Sequence, residues 1–174
     1  MHRRWRQTLA CLAFLTLAVP HAVSAQTDAP AGEVGPVTNL PLPRYVTLKT
    51  NEGNARRGPG LTHRIDWVFR RAGMPLRVTA EYENWRRVED AEGLGGWVHY
   101  SLLSGSRSAL VEGAAADFRA APDPQAQVLV QAEPGVIGKL LECAHDWCRM
   151  DVYGTRGWVP VKALWGVESG EDLH

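Results

Sequence analysis

Apolar residues between positions 45 and 167 come in short runs separated by Gly, Pro, Asn and Asp, without helical periodicity. Such runs with frequent turn residues are typical of small all-β folds. The pattern predicts two similar sets of strands. The first set covers residues 45–49, 66–70, 76–82, 85–89 and 96–99, and the second covers residues 109–112, 128–131, 138–144, 147–152 and 157–159.

The two sets of strands belong to an internal repeat. NARRGP at residues 54–59 is matched by DFRAAP at residues 117–122, and GWV at residues 96–98 is matched by GWV at residues 157–159. Each copy has about 60 residues, and the copies join near residues 104–106. Five short strands in such a small unit leave many unpaired edges, so we predict that each copy closes into a small β-barrel.

The first residues of the chain predict export. Arg3, Arg4 and Arg6 precede an uncharged apolar stretch at residues 9–19, which is the pattern of a secretory signal peptide. This stretch is shorter than the roughly 20 residues that a membrane span needs. We therefore expect cleavage before Gln26, no membrane span after cleavage, and a periplasmic or secreted protein.

The composition of the remaining chain predicts its domain organisation. The segments that flank the repeat are rich in small and polar residues and lack apolar periodicity, which is typical of disorder. The predicted order is a signal peptide at residues 1–25, a disordered leader at 26–44, a first barrel at 45–105, a second barrel at 106–168 and a flexible tail at 169–174.

Charge gives little indication of a partner. The predicted signal peptide holds three of the 19 basic residues and none of the 19 acidic ones, so the exported chain has a net charge of about −3. This balance and the predicted export both argue against nucleic acid as a ligand. The first predicted barrel has nine basic and seven acidic residues, and the second has six and eight.

Several motifs resemble those of bacterial SH3-like domains, in the paired form found in exported proteins of proteobacteria. They are NARRGPG at residues 54–60, WVFRR at 67–71, NWRRV at 84–88, and GWV at 96–98 followed by two leucines at 102–103. The resemblance covers almost all of residues 45–167. The second copy departs from the pattern at Asp117 and Ala121, and it has no aromatic pair that matches Trp67 and Phe69.

The resemblance implies an all-β fold of two tandem SH3-like barrels, with a short 3₁₀ turn near residues 100–103 and 161–164. It also implies binding of cell-wall peptides or of protein partners. We therefore expect a non-catalytic binding module of the cell envelope that recognises peptidoglycan or its stem peptides. The alternative is a scaffold whose barrel surfaces dock other envelope proteins.

Basic and aromatic side chains of the first barrel are the candidates for ligand binding. Arginine forks bind carboxylates, and aromatic faces stack on flat groups or sugars. The alternating residues could instead be the two faces of one strand. The candidate residues are Arg56, Arg57, Trp67, Phe69, Arg70 and Arg71.

The sequence does not complete any set of catalytic groups, so we predict no enzymatic activity and no cofactor. An acidic run could supply a general acid and a base. It alternates with Arg86 and Arg87 along a predicted hairpin, so we interpret it as a solvated, charge-paired surface. The run contains Glu81, Glu83, Glu89, Asp90 and Glu92.

Cys143 and Cys148 are the two cysteines that follow the predicted cleavage site. In an exported protein a close pair favours a disulfide, whereas a metal site that used His145 as well would lack a fourth ligand. The repeat aligns the two cysteines with Glu81 and Arg86, so both pairs are expected to face each other across a hairpin. On that basis, Glu and Arg in place of the cysteines should recover part of the stability lost on reduction.

The tryptophans give two structural expectations. Trp165 lies just past the last predicted strand, and we expect it to cover an interface between the barrels. Trp85 and Val88, like Trp147 and Met150, are three residues apart on a predicted strand. Strict alternation directs such residues to opposite faces, so either a bulge intervenes or the tryptophan points outward.

Overall fold

The computed structural model of the protein describes residues 33–171 and residue 173. The predicted signal peptide, residues 1–25, and its cleavage before Gln26 lie outside the described residues. Within the described part of the chain, no helix is long and apolar enough to cross a membrane. Both copies of the repeat are described in full.

Each copy of the repeat forms a seven-stranded antiparallel sheet, which confirms the predicted all-β class. A 3₁₀ turn precedes the last strand of each copy, at Tyr100–Leu102 and Val161–Ala163. The first copy contains β1 (Arg44–Leu48), β2 (Gly53–Arg56), β3 (Ile65–Phe69), β4 (Pro75–Tyr82), β5 (Trp85–Glu89), β6 (Gly95–His99) and β7 (Leu103–Ser104). The second contains β8 (Ser108–Val111), β9 (Ala116–Arg119), β10 (Val128–Ala132), β11 (Ile137–Ala144), β12 (Trp147–Val152), β13 (Thr155–Pro160) and β14 (Leu164–Trp165).

The two sheets have the same topology. The strand order is β3-β2-β6-β5-β4-β1-β7 in the first and β10-β9-β13-β12-β11-β8-β14 in the second. The sequence pattern did not predict β2, β7, β9 and β14. β2 and β9 contain no β-branched residue, and β7 and β14 have two residues each. Segments of this kind carry little strand signal of their own.

A phenylalanine fills the core of each barrel from a different strand. Phe69 on β3 is 2% exposed, and Ala132 occupies the equivalent position on β10. Phe118 on β9 is fully buried, and Ala55 occupies the equivalent position on β2. A large side chain on one strand is therefore balanced by a small one on its neighbour, which keeps both cores densely packed. This exchange explains why the second copy lacks a match to Phe69.

Trp85 points away from the core of the first barrel, and the bulge in this hairpin lies on β4, between Val78 and Ala80, rather than on β5. The pairing of β5 with β6 is regular over all five residues of β5. Val88 is 1% exposed and belongs to the core, so alternation directs Trp85 to the outer face. Trp85 is nevertheless buried because the ring of His99 packs edge-on against it, with 5.5 Å between ring centroids.

Residues 33–41 precede β1 in the chain and form a strap that folds back on itself. Val34 pairs with Pro41 in an antiparallel bridge, and the N–H of Gly35 donates to the carbonyl of Leu40 at 2.8 Å. The prediction of a disordered leader is therefore wrong for residues 33–44. The segment lacks apolar periodicity because its order comes from hydrogen bonds rather than from a hydrophobic face.

A buried carboxylate on β4 anchors the strap. The side chain of Glu81 has no solvent exposure. It accepts hydrogen bonds from the N–H of Val37 (3.1 Å), the N–H of Thr38 (2.9 Å) and the hydroxyl of Thr38 (2.7 Å). It also pairs with Arg44 at 2.6 Å and with Arg86 at 3.4 Å. The strap is thus held to the barrel by charge-assisted hydrogen bonds, which are stronger than neutral ones.

The C-terminal segment docks on β11, the equivalent of β4. Leu173 forms an antiparallel bridge with Cys143, whose N–H donates to the carbonyl of Leu173 at 3.3 Å. Glu171 forms an ion pair with Arg107. The prediction of a flexible tail is therefore wrong for Glu171 and Leu173. In both barrels a segment outside the sheet therefore contacts the end of the longest strand, β4 or β11.

The two barrels are in direct contact. The hydroxyls of Thr47 on β1 and Ser108 on β8 are hydrogen-bonded at 2.7 Å and are both buried. The guanidinium of Arg71 in the first barrel donates to the carbonyl of Gly135 in the second at 2.8 Å. Two polar contacts therefore tie the barrels together.

Candidate functional site

Two of the six residues predicted to bind a ligand have structural roles. Phe69 belongs to the core of the first barrel. Arg56 donates to the carbonyl oxygens of Leu61 at 3.0 Å and His63 at 2.7 Å, and it thereby holds the loop between β2 and β3. Neither side chain is available to a ligand without loss of these contacts.

Arg57 and Trp67 lie together on the hairpin of β2 and β3. Trp67 is 40% exposed. The Nε of Arg57 donates to Asp66 at 3.0 Å, and Arg64 donates to the same carboxylate at 2.6 Å. These hydrogen bonds, from Arg64 first and then from Arg57, lower the pKa of Asp66 from its ordinary value. The role of Arg57 and Trp67 in ligand binding stays a prediction.

The last two predicted residues lie elsewhere. Arg70 is exposed and forms a 3.4 Å ion pair with Glu52. Arg71 contacts the second barrel through Gly135. The structure therefore does not bring the six candidate residues together. They lie in the core, around the β2–β3 hairpin and at the junction between the barrels.

Trp165 lies at the junction between the barrels. Its ring packs edge-on against Tyr45 of the first barrel, with 5.3 Å between centroids. The guanidinium of Arg107 lies 5.7 Å from the centroid of the same tyrosine. Burial raises the pKa of Tyr45. This geometry supports the interface role that the sequence suggested for Trp165.

Replacing Trp165 with alanine is expected to lower the free energy of unfolding by about 2 kcal/mol, because a half-buried aromatic contact is lost. The hydrodynamic radius should increase because the barrels are held less closely. Thermal unfolding and analytical size exclusion measure the two effects. Trp67→Ala, at an outer strand, is the matched control and should leave the radius unchanged. An unchanged radius and melting temperature in Trp165→Ala would contradict the interface role.

The disulfide favoured by the sequence is present between Cys143 and Cys148. The two Cα atoms are 4.1 Å apart, and the residues face each other next to the pair Ala144 and Trp147. This is the register that the repeat alignment predicted. Both sulfurs are bonded, so neither serves as a thiolate ligand for the metal site considered as the alternative.

A cleft of about 470 Å³ opens on the outer face of the second barrel, beside this hairpin. Trp147 and Pro160 are paired across β12 and β13 and form one wall. The charged side chains of Asp146 and Lys162 are also part of its lining. The cleft is lined by Arg119, Pro124, Asp146, Trp147, Pro160, Val161, Lys162 and Ser169.

The charged residues that line the cleft differ in whether they already have a partner. Arg119 is held by the carbonyl of Ala126 and by Asp117, each at 2.8 Å. Asp146 and Lys162 are exposed and form no ion pair with any other residue that the structure describes. An unpaired acid and an unpaired base thus line the same cleft as the indole ring of Trp147.

The equivalent surface of the first barrel has a different chemistry. Trp85, His99 and Tyr100 occupy the positions of Trp147, Pro160 and the residue that follows it. The rings of His99 and Tyr100 are in contact, with 5.0 Å between centroids, and Tyr100 is 51% exposed. This surface is aromatic, whereas that of the second barrel carries both signs of charge.

The second-barrel cleft was not predictable from the residues that line it. Arg119, Trp147 and Lys162 come from three separate parts of the copy, so spacing along the chain does not connect them. The available signal was the repeat itself: Trp147 follows a tight turn at the same place as Trp85, with Asp146 where the first copy has Asn84. A tryptophan that points outward at that place marks the surface.

Two members of the acidic run are buried, so the interpretation of the whole run as a solvated surface is wrong for Glu81 and Asp90. Burial raises the pKa of Asp90, although the N–H groups of Leu94 and Glu92 donate to its carboxylate. These bonds close the turn between β5 and β6. Asp90 therefore has a structural role.

Comparison with known proteins places both copies in one family. The family model for the bacterial SH3 domain matches residues 49–105 and again residues 112–166, which together exceed half of the chain. Comparison with curated proteins gives no significant match. Similar solved structures include "Structure of NlpC2 from Trichomonas vaginalis", with a TM-score of 0.34 and 14% identity over 74% of this chain and 51% of that chain. "Structure of NlpC1 from Trichomonas vaginalis" has a TM-score of 0.34 and 13% identity over 75% and 48%. This chain spans about half the length of both proteins.

Proposed function

The chain belongs to the bacterial SH3 domain family, and we propose that it is a non-catalytic module of the cell envelope that binds peptidoglycan stem peptides. Domains of this family commonly bind the cell wall. The disulfide between Cys143 and Cys148 is typical of an oxidising, extracytoplasmic compartment. Family and compartment together support a periplasmic location.

The observation that carries the proposal is the cleft on the second barrel. A stem peptide has free carboxylates and amino groups, so it is zwitterionic. The exposed Lys162 suits a carboxylate, the exposed Asp146 suits an ammonium group, and Trp147 covers the aliphatic part between them. The predicted first-barrel set supports the proposal less well because its members are dispersed.

Reversing the charge of Lys162 tests this site. Lys162→Glu is expected to reduce retention of the exported protein on purified sacculi by about tenfold, since it removes an attraction and adds a repulsion. Lys49→Glu, an exposed lysine of the first barrel, is the matched control and should keep wild-type retention. Unchanged retention of Lys162→Glu would contradict the assignment of the cleft.

A cross-linking screen for envelope proteins distinguishes the scaffold alternative. A stem-peptide binder is retained on sacculi that have been stripped of protein. A scaffold is cross-linked to specific envelope proteins and is not retained on stripped sacculi.

A further inference from the structure

A second cleft, of about 330 Å³, lies at the junction between the barrels. It shares no residue with the cleft of the second barrel. Its volume is at the lower end of the range for small-molecule sites. It is lined by Thr47, Arg71, Ala72, Gly73, Ser106, Arg107, Ser108, Ile137, Gly138, Lys139 and Tyr153.

The walls of this junction cleft are positively charged. Three lining residues are basic and none is acidic. Arg107 is neutralised by its ion pair with Glu171. Arg71 is exposed, and its one described partner is a backbone carbonyl of the second barrel. Lys139 is also exposed and makes no ion pair within the described part of the chain. One cation without an ion pair therefore comes from each barrel; Asp151 faces Lys139 across β11 and β12 but pairs with Arg156.

Tyr153 provides an aromatic ring that folding does not explain. Its side chain is 91% exposed, so it buries almost nothing. Its φ of 51° is left-handed, and Gly154 follows with a φ of 90° in the two-residue turn between β12 and β13. Asparagine is preferred before glycine in such turns, and a bulky residue is unfavourable there. A tyrosine at this position lowers stability without a packing benefit.

We propose that the junction cleft binds an oxyanion carried on a sugar ring. The guanidinium of Arg71 uses one nitrogen for the carbonyl of Gly135, so its other N–H groups are available to a carboxylate or phosphate. The ammonium of Lys139 approaches the same anion from the second barrel. The ring of Tyr153 covers the apolar face of the sugar. Because Arg71 and Lys139 belong to different barrels, the site exists only while the barrels are in contact.

Three sugars that share one ring test the proposal. Glucose 6-phosphate, glucuronate and glucose are titrated into the exported protein by calorimetry. We expect at least one of the two charged sugars to bind, and glucose to bind at least about tenfold more weakly, because it lacks the anion. The preferred charged sugar identifies the oxyanion as phosphate or carboxylate. Absence of binding by both charged sugars, or equal binding of glucose, would overturn the proposal.

Three variants locate the site and separate it from the stem-peptide cleft. Lys139→Gln should weaken binding of the charged sugar by about tenfold, whereas Lys162→Gln should leave it unchanged. Tyr153→Asn should also weaken binding, yet it should raise the melting temperature because asparagine suits the turn. Wild-type affinity in Lys139→Gln would overturn the location, and wild-type affinity in Tyr153→Asn would overturn the role of the ring. Sacculus retention should be normal in Lys139→Gln and in Tyr153→Asn, so failure here does not affect the proposed function.

Discussion

Replacing Glu81 with glutamine is expected to lower the free energy of unfolding by about 3 kcal/mol at neutral pH. The change leaves the guanidinium groups of Arg44 and Arg86 without their carboxylate. Their side chains are only 17% and 9% exposed, so water does not replace the lost partner well. Thr38 loses a charged acceptor as well, and the strap should detach more readily.

The contribution of Glu81 to the free energy of unfolding should depend on pH. Burial raises the pKa of this carboxyl, but hydrogen bonds from Thr38, Arg44 and Val37 outweigh burial and lower it from 4.5 to about 2. Because the pKa in the folded state lies below that of the unfolded chain, the stabilisation is complete above about pH 4.5 and is lost as the pH falls towards 2. The difference between wild type and Glu81→Gln should therefore shrink over that range.

Urea unfolding followed by tryptophan fluorescence, repeated at decreasing pH, measures both effects. Glu89→Gln is the matched control, since Glu89 pairs with Arg77 on the same hairpin but both side chains are partly exposed, at 28% and 42%. Removing that pair should cost less than about 1 kcal/mol. Similar losses in the two variants would show that the burial of Glu81 has no energetic consequence.

Much of the fold could be predicted from the sequence because each barrel repeats the same alternation of apolar and polar residues. The bounds of β5 and β12 were predicted to the residue, since a tryptophan after a tight turn begins each of them. β2 and β9 were missed because their order depends on neighbouring strands rather than on their own residues. The register of the β4–β5 and β11–β12 hairpins, their two-residue turns and the disulfide were all predicted from the alignment of the two copies.

The strap could not be predicted because its partner is a charge. In the sequence, Glu81 is one acid among several on a hairpin, and the donors that surround it lie as much as 44 residues away. Burial of an ion depends on such distant partners, and periodicity does not report them. The two clefts could not be predicted for the same reason. Lys139 and Arg71 line one cleft, and Lys162 and Asp146 line the other, only because the fold brings them there.

Exchanging the residues of the two hairpins gives the second large effect. Cys143 faces Cys148 in the same register in which Glu81 faces Arg86. Cys143 and Cys148 are 3% and 0% exposed and belong to the core of the second barrel. The sequence suggested that glutamate and arginine at these positions would restore part of the stability lost on reduction. The structure changes that expectation, because the pair would be buried.

Reduction of the disulfide alone should cost about 2 kcal/mol, since the ring that it closes is short. The double variant Cys143→Glu with Cys148→Arg should be less stable than Cys143→Ala with Cys148→Ala by at least about 3 kcal/mol. A carboxylate at Cys143 meets the backbone of Leu173 and lacks the strap, which supplies the donors to Glu81 in the first barrel.

Chemical unfolding of the wild-type protein, with and without a thiol reductant, and of the two double variants gives the comparison. The alanine variant, which has neither the disulfide nor a charge, separates loss of the cross-link from burial of the ion pair. We expect the order of stability to be wild type, reduced wild type, the alanine variant and then the Glu/Arg variant. If the Glu/Arg variant were more stable than the alanine variant, the buried pair at Glu81 and Arg86 would not need the strap, and the physical account of that anchor would be wrong.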